Sequence, residues 1–387
     1  MVVKMSLISK PGKYLRMYAG MLMRRDPGLI VFGAWLGERF ADNSKELFLE
    51  AQAREGIRAV WVAKEQAVID EINSLGFEAY LWGSPEARSI QQRAGYAVIS
   101  NGISDLEHTY LGGAVILDLW HGVPLKKICY DDRYEKNWDS PKQKIRDFLI
   151  NIPLGKEYYV ATSQTFVPIY QSCFRKSQDH ILCLGQPRND LFFRERPEPY
   201  YPGKRVILYC PTHRKEGAEP MYAGRLFDLD RLEAFLEETG TWFVIKKHFY
   251  HRHEQDDLRA YPHIIDATGE NMDIQRLLME VELLITDYSS IYIDYLLLDK
   301  PLLFYAYDYE RYLAHDREMY FPYDEVTPGE KAGDFDTLLA QMKKAVLQGD
   351  TYGREERHRC RDLFYCQEGQ GPVGERILDM IQEGKLR

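Results

Sequence analysis

The 387-residue chain has no uninterrupted apolar run of 18 or more residues, so a membrane-spanning helix is not expected. Its start lacks the compact apolar core and small-residue cleavage site of a secretory signal. The six cysteines are scattered and no two form a C-x-x-C pair, which argues against a disulfide framework and against structural zinc. Reduced thiols of a cytoplasmic protein fit better. Basic character is also lacking overall: the formal net charge is −9, whereas a general nucleic-acid binder shows a broad basic surface. No tandem repeat or low-complexity tract occurs.

What is present is ordinary globular composition, 45% hydrophobic and 28% charged, over a length that exceeds one hydrophobic core. Two domains of roughly 150 to 200 residues are the expectation, with chemistry in a cleft between them. Short apolar runs alternate with helical stretches, the rhythm of parallel α/β sheets. Strands are predicted near 29–33, 58–63, 96–100, 114–119, 158–162 and 181–184, then near 206–210, 242–246, 281–286 and 302–306. Between the two sets lies Arg196-Pro197-Glu198-Pro199-Tyr200-Tyr201-Pro202-Gly203, whose prolines suit a linker. The predicted fold is therefore α/β and GT-B-like, two doubly wound Rossmann-type domains facing a cleft. The predicted bounds are 1–27 for a basic amphipathic segment, 28–195 for an acceptor-side domain and 204–387 for a donor-binding domain.

The first 25 residues carry Lys4, Lys10, Lys13, Arg16, Arg24 and Arg25 with no acidic residue, interleaved with Met, Leu and Tyr. A basic apolar helix of this kind suits either an anionic lipid surface or a terminal helix packed on the body.

In doubly wound sheets, ligands bind beyond the carboxyl ends of the strands, so the residues there matter most. The strand at 114–119 runs into Trp120-His121-Gly122-Val123-Pro124-Leu125-Lys126-Lys127. A histidine directly after a buried strand, before a glycine that allows close backbone approach, is placed to act on a substrate. Strand 206–210 ends in Pro211-Thr212-His213-Arg214, and strand 242–246 in Lys246-Lys247-His248, cations and imidazoles suited to a diphosphate. A solvated basic edge is the plainer reading. His248, His251 and His253 lack the companion ligands and spacing of a zinc site, so no metal is expected. Thr286-Asp287-Tyr288-Ser289-Ser290 follows a buried strand and precedes a helix, where hydroxyls and amides hold a phosphate or simply cap the helix. Whether Asp287 touches ligand or orders the loop stays open.

These motifs, with Ile30-Val31-Phe32-Gly33, Asp42-Asn43, Gly185-Gln186-Pro187-Arg188-Asn189-Asp190, Lys300-Pro301 and Phe304 to Asp308, occur in consistent order over roughly 29 to 330. The chain thereby resembles the CDP-glycerol glycerophosphotransferases of teichoic-acid and capsule synthesis. The resemblance implies a GT-B fold, CDP-glycerol as donor substrate with no cofactor and no essential metal, and a lipid-linked saccharide or polymer as acceptor. It implies catalytic roles for His121 and His248, the latter on the donor phosphates. Donor contacts fall to Arg214, Lys247, Asp287, Ser289 and Ser290, and Gly122, Pro124, Lys126, Arg188, Asp190 and Thr212 complete the motifs. Such an enzyme is expected in the cytoplasm, peripheral on the inner face of the membrane, with no nucleic-acid partner. Homo-oligomerisation is left open, as is primase against polymerase. The competing readings are a ribitol-phosphate transferase on the same scaffold, a GT-B glycosyltransferase, and a catalytically silent polymer-binding subunit.

Overall fold

Side chains alternate across a strand, so consecutive apolar residues must be buried on both faces of a sheet covered by helices. β1 (Asp26–Phe32) does this: Leu29 and Val31 enter one apolar cluster, Ile30 and Phe32 the other. The computed structural model describes residues 11–132, 140–194, 196–212, 226–247, 258–315, 318–349, 353–366 and 371–386. In the first half β1 is joined by β2 (Arg58–Ala63), β3 (Ala79–Leu81), β4 (Ala94–Ile99), β5 (Val115–Asp118), β6 (Glu157–Ala161) and β7 (Ile181–Cys183). All pair in parallel in the order β3-β2-β1-β4-β5-β6-β7. Helices α1 (Pro11–Gly20), α2 (Asp42–Gln52), α3 (Gln66–Ser74), α4 (Pro85–Arg93), α5 (Pro141–Asn151) and α6 (Val167–Phe174) lie between or before the strands. α4 and α5 start alike: Ser84 and Ser140 cap with their hydroxyls and a proline occupies the first turn, where its missing N–H costs nothing.

The second half repeats the plan with β8 (Arg205–Cys210), β9 (Thr241–Ile245), β10 (Ile264–Asp266), β11 (Val281–Thr286), β12 (Leu302–Tyr305) and β13 (Glu330–Ala332). Its order is β10-β9-β8-β11-β12-β13, again all parallel. The α/β doubly wound expectation therefore holds in both halves. Three strands absent from the sequence reading, β3, β10 and β13, are three residues long and lie at sheet edges. So short a run carries no measurable period.

The domain bounds need correction. One unit comprises the chain up to His121, then 129–190 and 365 onward; the other comprises 122–128 and 191–364. The last helix, Val373–Gln382, returns to the first unit because Val373, Ile377, Leu378 and Ile381 form an apolar stripe buried in the cluster around Ile30 and Phe32. Asp190 anchors its start, its two carboxylate oxygens accepting the N–H groups of Val373 at 2.8 Å and Gly374 at 2.7 Å. The proline-rich stretch is no free linker, since the Glu280 carboxylate accepts the amides of Tyr200 and Tyr201, each at 2.9 Å, within the second unit. The described part of the N-terminal segment, 11–27, comprises α1, a turn and the start of β1, and α1 packs on the first unit through buried Met17.

Candidate functional site

In the first unit, the chain leaves β5 through Trp120, whose left-handed backbone (φ 55°) is strained for a residue with a Cβ. Hydrogen bonds hold it on both sides. The Trp120 N–H donates to Asp118 at 2.9 Å, and its carbonyl accepts from the Asn43 amide at 2.8 Å. Asp118 is wholly buried, and burial, reinforced by nearby Glu157, pushes its carboxyl well above the usual range. The His121 carbonyl accepts from the Arg188 guanidinium at 3.0 Å, and the same nitrogen pairs with Asp42 at 2.8 Å. The imidazole of His121 is fixed separately: its Nδ1 lies 3.1 Å from the Ser100 carbonyl oxygen. A carbonyl only accepts, so Nδ1 carries the proton and the ring's lone pair is at Nε2. The Trp120 and Trp35 rings flank it, with centroids at 4.4 and 6.2 Å.

Ser100 is held in turn. Its hydroxyl meets that of Ser44 at 2.7 Å, and its N–H donates to Asp105 at 2.8 Å. Asp105 also accepts from Asn101 N–H at 2.7 Å and from Leu36 N–H at 2.7 Å, so one buried carboxylate ties the turn after β1 to the turn after β4. Neither Ser100 nor Asp105 was among the sequence candidates. The available signal was polar Ser100-Asn101-Gly102 directly after the apolar run Ala97-Val98-Ile99.

In the second unit, Asp287 closes β11 and is also fully buried. Its Oδ1 accepts from the Thr212 N–H at 2.8 Å, the Thr212 hydroxyl at 2.6 Å and the Tyr288 N–H at 2.6 Å. Asp287 thus binds the loop after β8 to the loop after β11. Below it Tyr288 stacks on Tyr312 at 3.9 Å and donates to Asp308 at 3.0 Å, while the Tyr323 hydroxyl donates to the Asp287 carbonyl at 3.1 Å. Burial and these carboxylates push both phenols far above their ordinary range, so they act as neutral donors. Ser289 and Ser290, which follow Tyr288 in the chain, are half-buried.

The remaining candidates divide. Gly122 and Pro124 lie buried in a segment that pairs with 318–320, through Lys127 N–H to Glu318 O and Tyr320 N–H to Leu125 O, both 2.8 Å. Lys126 sits 5.0 Å over the Tyr312 ring. Lys247, expected to meet the donor, is buried with its ammonium 3.3 Å from Asp266, an ion pair between the ends of β9 and β10. Asp190 is the helix anchor described above. His248 and Arg214, like His213, His251 and His253, lie outside the described residues.

The sequence profile of CDP-glycerol:poly(glycerophosphate) glycerophosphotransferases matches residues 16–383. The chain is 26% identical over 380 residues to the teichoic acid glycerol-phosphate transferase of Staphylococcus aureus, covering 91% of this chain and 92% of that one. It is 28% identical over 273 residues to the teichoic acid ribitol-phosphate polymerase TarK of Staphylococcus aureus, covering 64% of this chain and 52% of that longer protein. Its fold is that of the wall teichoic acid polymerase TagF in a histidine-to-asparagine variant soaked with CDPG, at TM-score 0.73 and 23% identity, covering 96% of this chain and 93% of that one. The chain belongs to the CDP-glycerol:poly(glycerophosphate) glycerophosphotransferase family, transferases on a GT-B-like fold.

Proposed function

We propose that the protein transfers glycerol phosphate from CDP-glycerol to a hydroxyl of a lipid-linked wall or capsule precursor, with release of CMP. The acceptor oxygen forms a bond to the phosphorus that carries glycerol, the bond from that phosphorus to CMP breaks, and the hydroxyl proton passes to His121 Nε2. The observation that carries this reading is the 3.1 Å contact of His121 Nδ1 with the Ser100 carbonyl, which sets the lone pair at Nε2. A histidine suits the base role because its ordinary pKa lies near neutrality. The hydroxyls of Ser289 and Ser290, with Arg214 and His248, stabilise the diphosphate as CMP departs. Lys247 acts through Asp266 rather than on the donor. No metal enters this mechanism.

A ribitol-phosphate transferase is the second reading, favoured by the TarK likeness. The deciding experiment offers CDP-glycerol, CDP-ribitol and nucleotide sugars, with a lipid-linked disaccharide, to enzyme with and without EDTA, and identifies products by mass spectrometry. A glycerol-phosphate adduct formed equally in EDTA is expected. A ribitol-phosphate or sugar adduct, or a requirement for magnesium, refutes the corresponding part.

Contact with an anionic membrane face belongs to the same proposal. No described helix is long and apolar enough to cross a membrane. Two helices of the first unit nevertheless expose apolar residues beside lysines: Leu15 and Leu22, 74% and 91% exposed, in and after α1, and Ile145 and Phe148, 56% and 66% exposed, on α5. Lys13, Lys142 and Lys144 supply charge there, each about 1 kcal/mol at such a surface. Arg16 and Arg25 are engaged internally, with the Tyr110 hydroxyl and with the carbonyls of Gln91 and Ala94. The pair Leu22→Ser and Phe148→Ser is expected to lower sedimentation with anionic vesicles while leaving turnover of a soluble acceptor analogue unchanged. Undiminished vesicle binding counts against this surface.

A further inference from the structure

The Nδ1 of His121 is hydrogen-bonded to the backbone carbonyl of Ser100, which moves the question one layer outward, to what holds that carbonyl. Ser100 stands at the end of β4, and its peptide could rotate were its N–H not bound. Asp105 supplies the binding from inside the same turn. One of its oxygens accepts from both Ser100 and Asn101, at 2.8 and 2.7 Å, while the other reaches Leu36, 69 positions earlier in the chain. Leu36 and its neighbour Trp35 both have left-handed backbone, φ 59° and 49°, a conformation that costs about 1–3 kcal/mol per residue and needs surroundings that hold it. Trp35 is further held by its N–H to Asn101 Oδ1 at 3.2 Å, and its ring stands against His121. A single carboxylate therefore controls both the hydrogen-bond partner of the imidazole and one of the rings beside it.

We propose that Asp105 is a positioning residue for transfer: through the Ser100 carbonyl and the Trp35 turn it holds His121 as the Nδ1–H tautomer, aimed with Nε2 toward the acceptor hydroxyl. This rests on the reading of His121 as the base. Asp105 touches no reacting atom and acts only through its three backbone donors. Its burial is consistent with a function beyond local stability. Loss of water around it pushes its carboxyl up to about 6 despite those three hydrogen bonds, and Asp42 nearby adds to the rise. An asparagine of the same shape would avoid that cost, but would set an amide N–H against one of the backbone N–H groups.

The test reads the tautomer directly. In full-length protein labelled with 15N-histidine, with the His121 signal assigned by its loss in His121→Gln, the wild type is expected to be protonated at Nδ1. Predominant Nε2–H overturns the proposal without need of any further variant. In Asp105→Asn the signal is expected to move toward a mixture of tautomers. Turnover is expected to fall about 100-fold, the scale of a misplaced catalytic group. The KM for CDP-glycerol should stay within about twofold, because the donor contacts are untouched. A folded Asp105→Asn with wild-type turnover or an unmoved His121 signal overturns the proposal. Parallel losses in turnover and donor affinity also overturn it, since they mark general loosening. Should that variant not fold, Asn101→Ala, which releases only the Trp35 N–H, is expected to lower turnover at constant KM, and unchanged turnover counts against the positioning role. Near-normal activity of His121→Ala would instead remove the base reading and leave the tautomer result standing.

Discussion

The two sheets share one order over six strands, the first adding β7 at its edge, and each places a fully buried aspartate where the direction of winding reverses, yet the two aspartates hold different things. In the first sheet the reversal lies between β1 and β4, and Asp105 gathers amides from the turns that follow those strands. In the second it lies between β8 and β11, and Asp287 gathers Thr212 and Tyr288 from the corresponding loops. Ligands of doubly wound sheets bind at such points, where adjacent loops part and need tying together. In the first unit the tie supports an imidazole that must be oriented; in the second it supports a loop of half-buried hydroxyls. The comparison teaches that a buried carboxylate at a switch point can tie the same pair of loops and yet position different groups.

The strongest way to break this comparison is at the group the first aspartate serves. His121→Ala is expected to reduce turnover by about 10²–10⁴, the range of a lost general base. Binding of CDP-glycerol, followed by calorimetry, should change by less than about twofold, because a base acts in the transition state more than in the ground state. Equal loss of binding and turnover would place His121 on the donor instead.

A smaller effect is expected from Asp287→Asn, and of the opposite kinetic kind. Hydrogen bonds to a charged acceptor contribute about 1.5–3 kcal/mol each, and weakening them loosens the loop that carries Ser289 and Ser290. The KM for CDP-glycerol should rise by about tenfold, the equivalent of about 1.4 kcal/mol, with turnover at saturation largely kept. If Asp287→Asn lowered turnover at constant KM, as Asp105→Asn is expected to do, the two ties would serve one function and the contrast would fail.

Legibility in the sequence follows the same division. The ten predicted strands rest on apolar runs that stand out between turn residues, and the aspartate in Thr286-Asp287-Tyr288-Ser289-Ser290 could be singled out because two serines stand beside it, although its partner Thr212 comes close only through the β8–β11 pairing. Asp105 could not, because its meaning depends on Leu36, which is close only once β1 and β4 pair. The ion pair of Lys247 was hidden for the same reason: the sequence shows a lysine at a strand end, but Asp266 reaches it only through the β9–β10 pairing. The return of the last helix to the first unit likewise depends on Asp190, more than 180 positions upstream of the amides it accepts. Local pattern yields elements and motif loops, whereas side chains whose partners come from neighbouring strands acquire their roles only in the assembled sheet.

The last expected effect bears on stability rather than turnover, and concerns the charge balance of the connection that carries Asp105. His108 follows on the same segment, and burial, with Lys13 and Arg146 nearby, lowers its pKa from 6.5 to about 4. The unfolded chain therefore binds more protons at His108 between pH 6.5 and about 4, so this residue withdraws stability as pH falls through that window. Asp105 has the opposite sign. Its carboxyl is raised from 3.8 to about 6, so the folded chain binds more protons between those values and gains stability as pH falls. The two contributions oppose one another over the shared interval. His108→Gln should remove one of them, so urea midpoints measured from pH 7 to pH 4.5 should show the variant gaining on the wild type steadily as the medium is acidified. In the double variant with Asp105→Asn that gain should remain, while the midpoints of both Asp105→Asn proteins should lose the stabilisation on acidification that Asp105 supplies. A constant difference between His108→Gln and the wild type at all pH values would mean that the 102–110 connection is already open to water in the folded protein, and that the first unit's tie is less buried than the second's.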